Sequence, residues 1–135
     1  MPQTISLKGD HIRKEATADV AITPGWLVEF GGSSYELIPH GTIGGQGRKA
    51  FAVENDLIGK GIDDDYAAGD VVQYGIFEPG AEVYALTSET VAKGDALESD
   101  GAGALQVSST PVEGSIVAWA MAARSGAGRV AVEVA

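Results

Sequence analysis

Apolar residues in this chain come in short alternating runs rather than at helical spacing. Trp26-Leu27-Val28-Glu29-Phe30 and Tyr35-Glu36-Leu37-Ile38 are two such runs on either side of residues 31–34, and they predict a hairpin. Pro39 ends the second run, because proline contributes no N–H to a ladder. Further runs predict strands over residues 49–54, 70–77, 82–86, 96–97, 105–107, 114–122 and 129–134. In 49–54, Phe51 and Val53 share one face of the strand. Residues 115–124 are rich in alanine and form the one stretch with helical character. Ile116, Val117 and Trp119 fit a buried strand equally well, and the last strand needs a partner, so this segment too reads as strand. Near the start, Ile5 and Leu7 alternate with polar neighbours and allow one short strand; the rest of residues 1–19 has no clear period.

One phrase recurs between these runs: a short turn, a glycine, then an apolar pair. It stands as Thr23-Pro24-Gly25-Trp26-Leu27-Val28, Ala67-Ala68-Gly69-Asp70-Val71-Val72 and Ala92-Lys93-Gly94-Asp95-Ala96-Leu97. Glycine takes positive φ without a side-chain penalty, so each copy predicts a tight turn beside a strand. A second glycine follows each copy, at Gly31-Gly32, Gly75 and Gly101-Ala102-Gly103, and reads as the turn into the next strand. About nine short strands with turn signals every ~8–12 residues predict an all-β fold, a compact β-sandwich or small β-barrel with an extended N-terminal arm. Residues 1–19 are expected to be that arm or an edge strand, and residues 20–135 a single β-domain. Trp26 and Trp119, each inside an apolar run, are expected to anchor the core.

Composition narrows the function classes. With no cysteine among 135 residues, disulfides and thiolate metal sites are out of reach. No apolar run approaches the ~20 residues of a membrane-spanning helix, and the polar, mixed-charge first fourteen residues do not read as a signal peptide. Nineteen acids against nine bases leave a net charge of −10. Phosphate neutralisation by Lys and Arg dominates nucleic-acid affinity, so no direct nucleic-acid binding is expected. Seven acids and no base lie between Gly61 and Ala92, namely Asp63, Asp64, Asp65, Asp70, Glu78, Glu82 and Glu89; this stretch reads as a solvated acidic face.

Candidate chemistry is sparse. His11 and His40 are far apart in sequence and sit in polar segments, so both read as surface histidines. Asp63-Asp64-Asp65 lacks the alternate spacing of a calcium loop, since consecutive acids point in different directions. Residues 40–48 hold four glycines in nine positions and read as a surface loop: Gly47 is followed by Arg48-Lys49-Ala50, not by the Gly-Lys-Ser/Thr of a phosphate-binding loop. No Gly-x-Ser-x-Gly elbow occurs. The expectation is a non-enzyme with no cofactor and no metal.

Several segments resemble a known family. Arg48-Lys49-Ala50-Phe51-Ala52-Val53-Glu54-Asn55, Ile58-Gly59-Lys60-Gly61-Ile62-Asp63-Asp64, Tyr66-Ala67-Ala68-Gly69-Asp70-Val71-Val72-Gln73-Tyr74 and Pro79-Gly80-Ala81-Glu82-Val83-Tyr84-Ala85-Leu86 are similar to the capsid decoration, or cement, proteins of tailed bacteriophages. The likeness continues in Arg13-Lys14-Glu15-Ala16, Ile22-Thr23-Pro24-Gly25, residues 91–105 and Gly128-Arg129-Val130-Ala131-Val132-Glu133, and so covers nearly the whole chain. The resemblance implies a structural virion protein on the outer capsid surface, assembled in the host cytoplasm. Such a protein is a homotrimer that bridges neighbouring major capsid proteins and stabilises the head against internal DNA pressure. It also implies an N-terminal segment running along the capsid, with Lys8, His11, Arg13 and Lys14 as the candidate contacts. Deleting residues 1–14 is then expected to spare the fold and weaken attachment. Two other readings stand beside it. Val91-Ala92-Lys93-Gly94-Asp95-Ala96-Leu97 has the cadence of a biotinyl or lipoyl carrier domain, although Asp100-Gly101-Ala102-Gly103 offers no lysine at the tip. A carbohydrate-binding β-domain is the other, and it predicts an exposed Trp26 or Trp119.

Overall fold

In a computed structural model, which describes all residues except 1, 32–34, 46 and 113, the chain is all-β. Among the described residues it has eleven strands and one turn of 3₁₀ helix: β1 Ser6–Lys8, β2 His11–Thr17, β3 Val28–Gly31, β4 Glu36–Pro39, β5 Ala50–Ala52, the 3₁₀ turn Asp56–Ile58, β6 Val71–Phe77, β7 Glu82–Thr87, β8 Ala96–Ser99, β9 Leu105–Val107, β10 Ala118–Ala120 and β11 Gly128–Val134. Strands β7-β11-β10-β8-β9 are hydrogen-bonded in that order, and a parallel pairing of Thr87 with Leu105 joins β9 back to β7. The sheet therefore closes into a small five-stranded barrel, which removes its free edges. β1 pairs with the start of β7, outside the ring.

A second sheet, β2-β6-β5, and the β3–β4 hairpin lie alongside the barrel. β5 is buried on both faces, and its alternation explains how. Phe51 joins the barrel-side cluster with Leu97, Leu105, Val83, Val130 and Val132. Ala50 and Ala52 join the hairpin-side cluster with Val28, Leu37, Val72 and Tyr74. A large residue fills one side while two alanines let the hairpin approach on the other. Each fully buried Leu, Val, Ile or Phe contributes about 1.5–3 kcal/mol of transfer free energy, so two clusters sharing one strand couple the layers.

The recurring glycine phrase makes turns, as expected, but mostly at corners rather than hairpin tips. Gly69 and Gly94 have φ +89° and +93°, with Asp70 N–H donating to Ala67 O at 3.0 Å and Asp95 N–H to Ala92 O at 3.1 Å. These are turns with positive φ at the third position. In each, the aspartate Oδ2 also accepts from the backbone N–H three residues earlier, at 2.8 Å. The strands on either side of each turn belong to different pairings. The hairpins are β3–β4, β8–β9 and β10–β11. Residues 32–34 of the first hairpin turn lie outside the described residues.

Several expectations change. Gly75 lies inside β6, as the strand expected over residues 70–77 requires, and so does not make the turn that its place after the second glycine phrase suggests. Residues 115–124 contain strand only at β10. Trp119 is not a core anchor: on β10 its neighbours Ala118 and Ala120 face inward, and it is 43% exposed. Trp26 is half-buried against the hairpin-side cluster. The first residues are taken up as two edge strands, and Ile5 is completely buried in the barrel-side cluster.

Candidate functional site

β2 pairs with β6 over seven consecutive residues, from His11 opposite Phe77 to Thr17 opposite Val71. It stands at the end of its sheet, so its outer row of N–H and C=O groups meets no partner strand among the described residues. Alternation along β2 divides the basic candidates. His11, Arg13 and Glu15 lie on the face of Phe77, Gly75 and Gln73; Ile12, Lys14 and Ala16 lie on the face of Ile76, Tyr74 and Val72. Lys8 stands apart, at the end of β1 opposite Glu82. The four therefore do not converge on one point.

Arg13 is held within the molecule. Its Nε donates to Gln73 Oε1 at 3.2 Å, and its Nη2 donates to Glu54 O at 3.3 Å and pairs with Asp56 Oδ1 at 2.8 Å. The Arg13 guanidinium keeps the Asp56 carboxyl below its ordinary range, chiefly through that hydrogen bond. Gln73 passes the network on, donating from Nε2 to Glu15 Oε2 at 2.9 Å. Arg13 thus ties β2, β6 and the 3₁₀ turn together, which makes it a structural cation rather than a free contact.

His11 stacks on Phe77, ring centroids 4.6 Å apart and planes 19° apart, with Nδ1 3.4 Å from Ser6 Oγ. Burial first, then the Arg13 charge, lowers its pKa below the ordinary 6.5. Lys8 and Lys14 are exposed and make no ion pair among the described residues. Beside them Ile12 is 63% exposed, at the mouth of a depression of about 240 Å³ lined by Asp10, His11, Ile12, Ile76, Phe77 and Glu78. The first two strands therefore present an open edge, two free lysines and an exposed isoleucine.

Sequence reasoning missed the residues that fix this surface. Glu54, 8% exposed, accepts from the Ile5 N–H at 3.0 Å and so anchors the start of the chain; Gln73, 6% exposed, links Arg13 to Glu15. A buried acid at a strand end carries no pattern in sequence. His40 is also a correction: it is 1% exposed, its Nδ1 2.7 Å from Ser99 Oγ. Gly47 lies close over the imidazole, where a Cβ would come within 3.0 Å of Nε2, so a polar-looking loop covers a buried histidine. Nor are the acids of the middle segment all free solvated charges. Asp63 pairs with Arg129 at 2.9 Å, while the carboxylates of Asp64 and Asp70 accept from the backbone N–H three residues earlier. Among the described residues no three His, Cys, Asp or Glu side chains gather as a metal set, and no helix is long and apolar enough to cross a membrane.

No protein-family model matches the chain, and no curated protein sequence matches it. Among solved structures it is similar to the N base of the head fiber gp8.5 of bacteriophage phi29. The match has a TM-score of 0.65 at 12% identity and covers 93% of this chain and 95% of that one. The two chains share a fold. At that identity the side chains are nearly all different, so the likeness lies in the course of the backbone and the order of the strands.

Proposed function

We propose that the chain is a structural component of a bacteriophage head. In this reading it docks on the outer capsid surface as a homotrimer, bridges neighbouring major capsid proteins and stiffens the shell against DNA pressure. The observation that carries the reading is the likeness of nearly the whole fold to a head-fiber base. The resemblance of residues 48–86 to capsid cement proteins supports the finer part, the trimer and the bridging. The function is mechanical, with no reaction catalysed and no cofactor held.

The open edge of β2 is the surface best suited to the capsid. An extended segment of a capsid protein gains main-chain hydrogen bonds by adding to such an edge, and side-chain pockets then set the register. Lys8 and Lys14 supply steering charge, Ile12 supplies apolar contact, and Arg13 keeps the strand rigid. Three such footprints on one trimer bind far more tightly than one. The net charge of −10 keeps decorated particles from associating.

Sedimentation of the purified protein is expected to give three times 13.8 kDa. Mixed with undecorated heads, it is expected to co-sediment and to raise their resistance to heat. A monomer that neither binds heads nor protects them would overturn the proposal. A monomer or dimer that binds heads would remove the trimer alone and leave the head-fiber side of the likeness standing.

A further inference from the structure

A second surface, on the far side of β6 from the Arg13 network, is built like a small binding site. A cleft of about 180 Å³ opens between the β3–β4 hairpin and the β6–β5 sheet, lined by Glu29, Phe30, Tyr35, Arg48 and Tyr74 with small and aliphatic residues at its floor. Three aromatic rings wall it. Phe30 meets Tyr35 edge-on at 5.6 Å and Tyr74 edge-on at 6.0 Å, and the Arg48 guanidinium sits over the Phe30 ring at 5.5 Å.

Two observations mark it as a site rather than a packing defect. Tyr74 is 4% exposed, yet its hydroxyl makes no hydrogen bond among the described residues. That oxygen is not sealed from solvent, unlike the unpaired Asn55 Oδ1 and Ser108 Oγ. It stands open at the cleft with its hydrogen-bonding capacity unused, whereas the hydroxyl of Tyr66 donates to Val53 O at 2.7 Å. The second is backbone strain. Tyr35 is the one non-glycine among the described residues with positive φ, +54°, an uncommon conformation for a bulky side chain. It holds a ring that is 64% exposed at the cleft mouth. Strain of this kind persists where the surroundings fix it and clusters at ligand sites.

We propose that this cleft binds one pyranose unit of a neutral polysaccharide. Apolar ring walls suit the C–H face of a sugar, and the polar groups are of both kinds. Arg48 and the Tyr74 hydroxyl donate, while the Glu29 carboxylate accepts; its Oε2, which already accepts from Gly41 N–H at 2.6 Å, is held in place. A carboxylate ligand would suit Arg48 but would meet Glu29 at the same rim. A sugar, carrying donor and acceptor on every hydroxyl, satisfies all three. The cleft is smaller than the ~300 Å³ at which drug-sized sites begin, which limits it to a single ring and an affinity on the order of 1 mM. Several copies on one particle would turn such contacts into firm adhesion. The cleft does not depend on the head-attachment reading; it lies on the opposite face of β6 from His11 and Arg13 but on the same face as Ile12 and Lys14, with Lys14 directly opposite Tyr74.

The test is titration of the isotope-labelled protein with glucose, galactose and N-acetylglucosamine separately, with sodium acetate as a fourth arm. At least one sugar is expected to shift the resonances of Tyr35, Arg48 and Tyr74 saturably in the millimolar range. Tyr74→Phe keeps the ring and removes only the hydroxyl, and is expected to weaken binding about tenfold, the equivalent of one hydrogen bond. Arg48→Gln is expected to weaken it similarly. No saturable shift with any sugar at tens of millimolar overturns the proposal, as does a response to acetate alone, a response confined to Trp119, or full affinity in Tyr74→Phe. Loss of sugar binding with head attachment intact separates this site from the capsid surface.

Discussion

Gly75 shows how one missing side chain determines a local arrangement. A Cβ at that position would lie 2.5 Å from His11 Cδ2 and 2.9 Å from Phe77 Cε2, so the stacked pair exists because residue 75 has none. Gly75→Ala is expected to destabilise the fold by about 1–3 kcal/mol, the usual cost of overpacking, read as a lower midpoint in urea. His11 itself gives stability a pH dependence whose sign is fixed. Its folded pKa lies below 6.5, burial being the larger cause and the Arg13 charge the second, so the unfolded chain binds the proton more readily. The His11 contribution is therefore complete above pH 6.5 and declines as pH falls from there towards the lower folded value. Midpoints measured across that window are expected to fall less steeply in His11→Gln than in the parent. A parent profile that is flat or rises on acidification would contradict the assignment.

The corner turns and the two edge strands show what a sequence discloses about its elements. At Gly69 and Gly94 a Cβ would meet nothing within 4 Å, so only the positive φ resists substitution. Gly69→Ala and Gly94→Ala are each expected to cost about 1–2 kcal/mol by thermal or chemical melting. Asp70→Ala and Asp95→Ala, which lose a hydrogen bond to backbone, are each expected to cost about 0.5–1.5 kcal/mol. These turns were legible because Gly-Asp, after Ala67-Ala68 in one and Ala92-Lys93 in the other, carries its conformation locally. β2 was not legible, because five of its seven residues are exposed and none of its positions is fully buried; without an inward face, a strand has no period to read. Gly75 and His40 are illegible for a related reason: each has a partner remote in sequence, His11 for Gly75 and Ser99 for His40, that no local pattern announces. The same geometry reverses the expected outcome of truncation. Removing residues 1–14 deletes β1, the buried Ile5 and the Arg13 network, and leaves the Glu54 carboxylate without the Ile5 N–H. Circular dichroism is expected to show loss of the cooperative transition or a much lowered melting temperature. A truncated chain that melts like the parent would mean that these strands are not part of the core. Ile5→Ala alone, a buried large-to-small change, is expected to cost about 2–5 kcal/mol.

At the scale of the whole molecule, charge and copy number together decide how the proposed attachment behaves. The chain carries −10 overall, while Lys8 and Lys14 stand exposed on the two edge strands, free of the pairing that ties Arg13 to Asp56. Reversing both lysines to glutamate shifts the net charge by two units each, from −10 to −14, and removes no buried group. The folded state and the oligomer are expected to survive, so melting temperature and sedimentation should match the parent. Head binding should not. Exposed charges at an interface rim act mainly on association rate and salt dependence, with a contribution of about 1 kcal/mol or less each. If each footprint of a trimer loses about 1 kcal/mol, or roughly fivefold, three footprints acting together lose about a hundredfold. Binding of the parent to undecorated heads should weaken as salt shortens the screening length from ~10 Å at 0.1 M, whereas the Lys8→Glu/Lys14→Glu protein should bind weakly at low salt and lose little more as salt is added. Attachment that is equally tight in both proteins, at both salt concentrations, would move the contact surface away from β1 and β2.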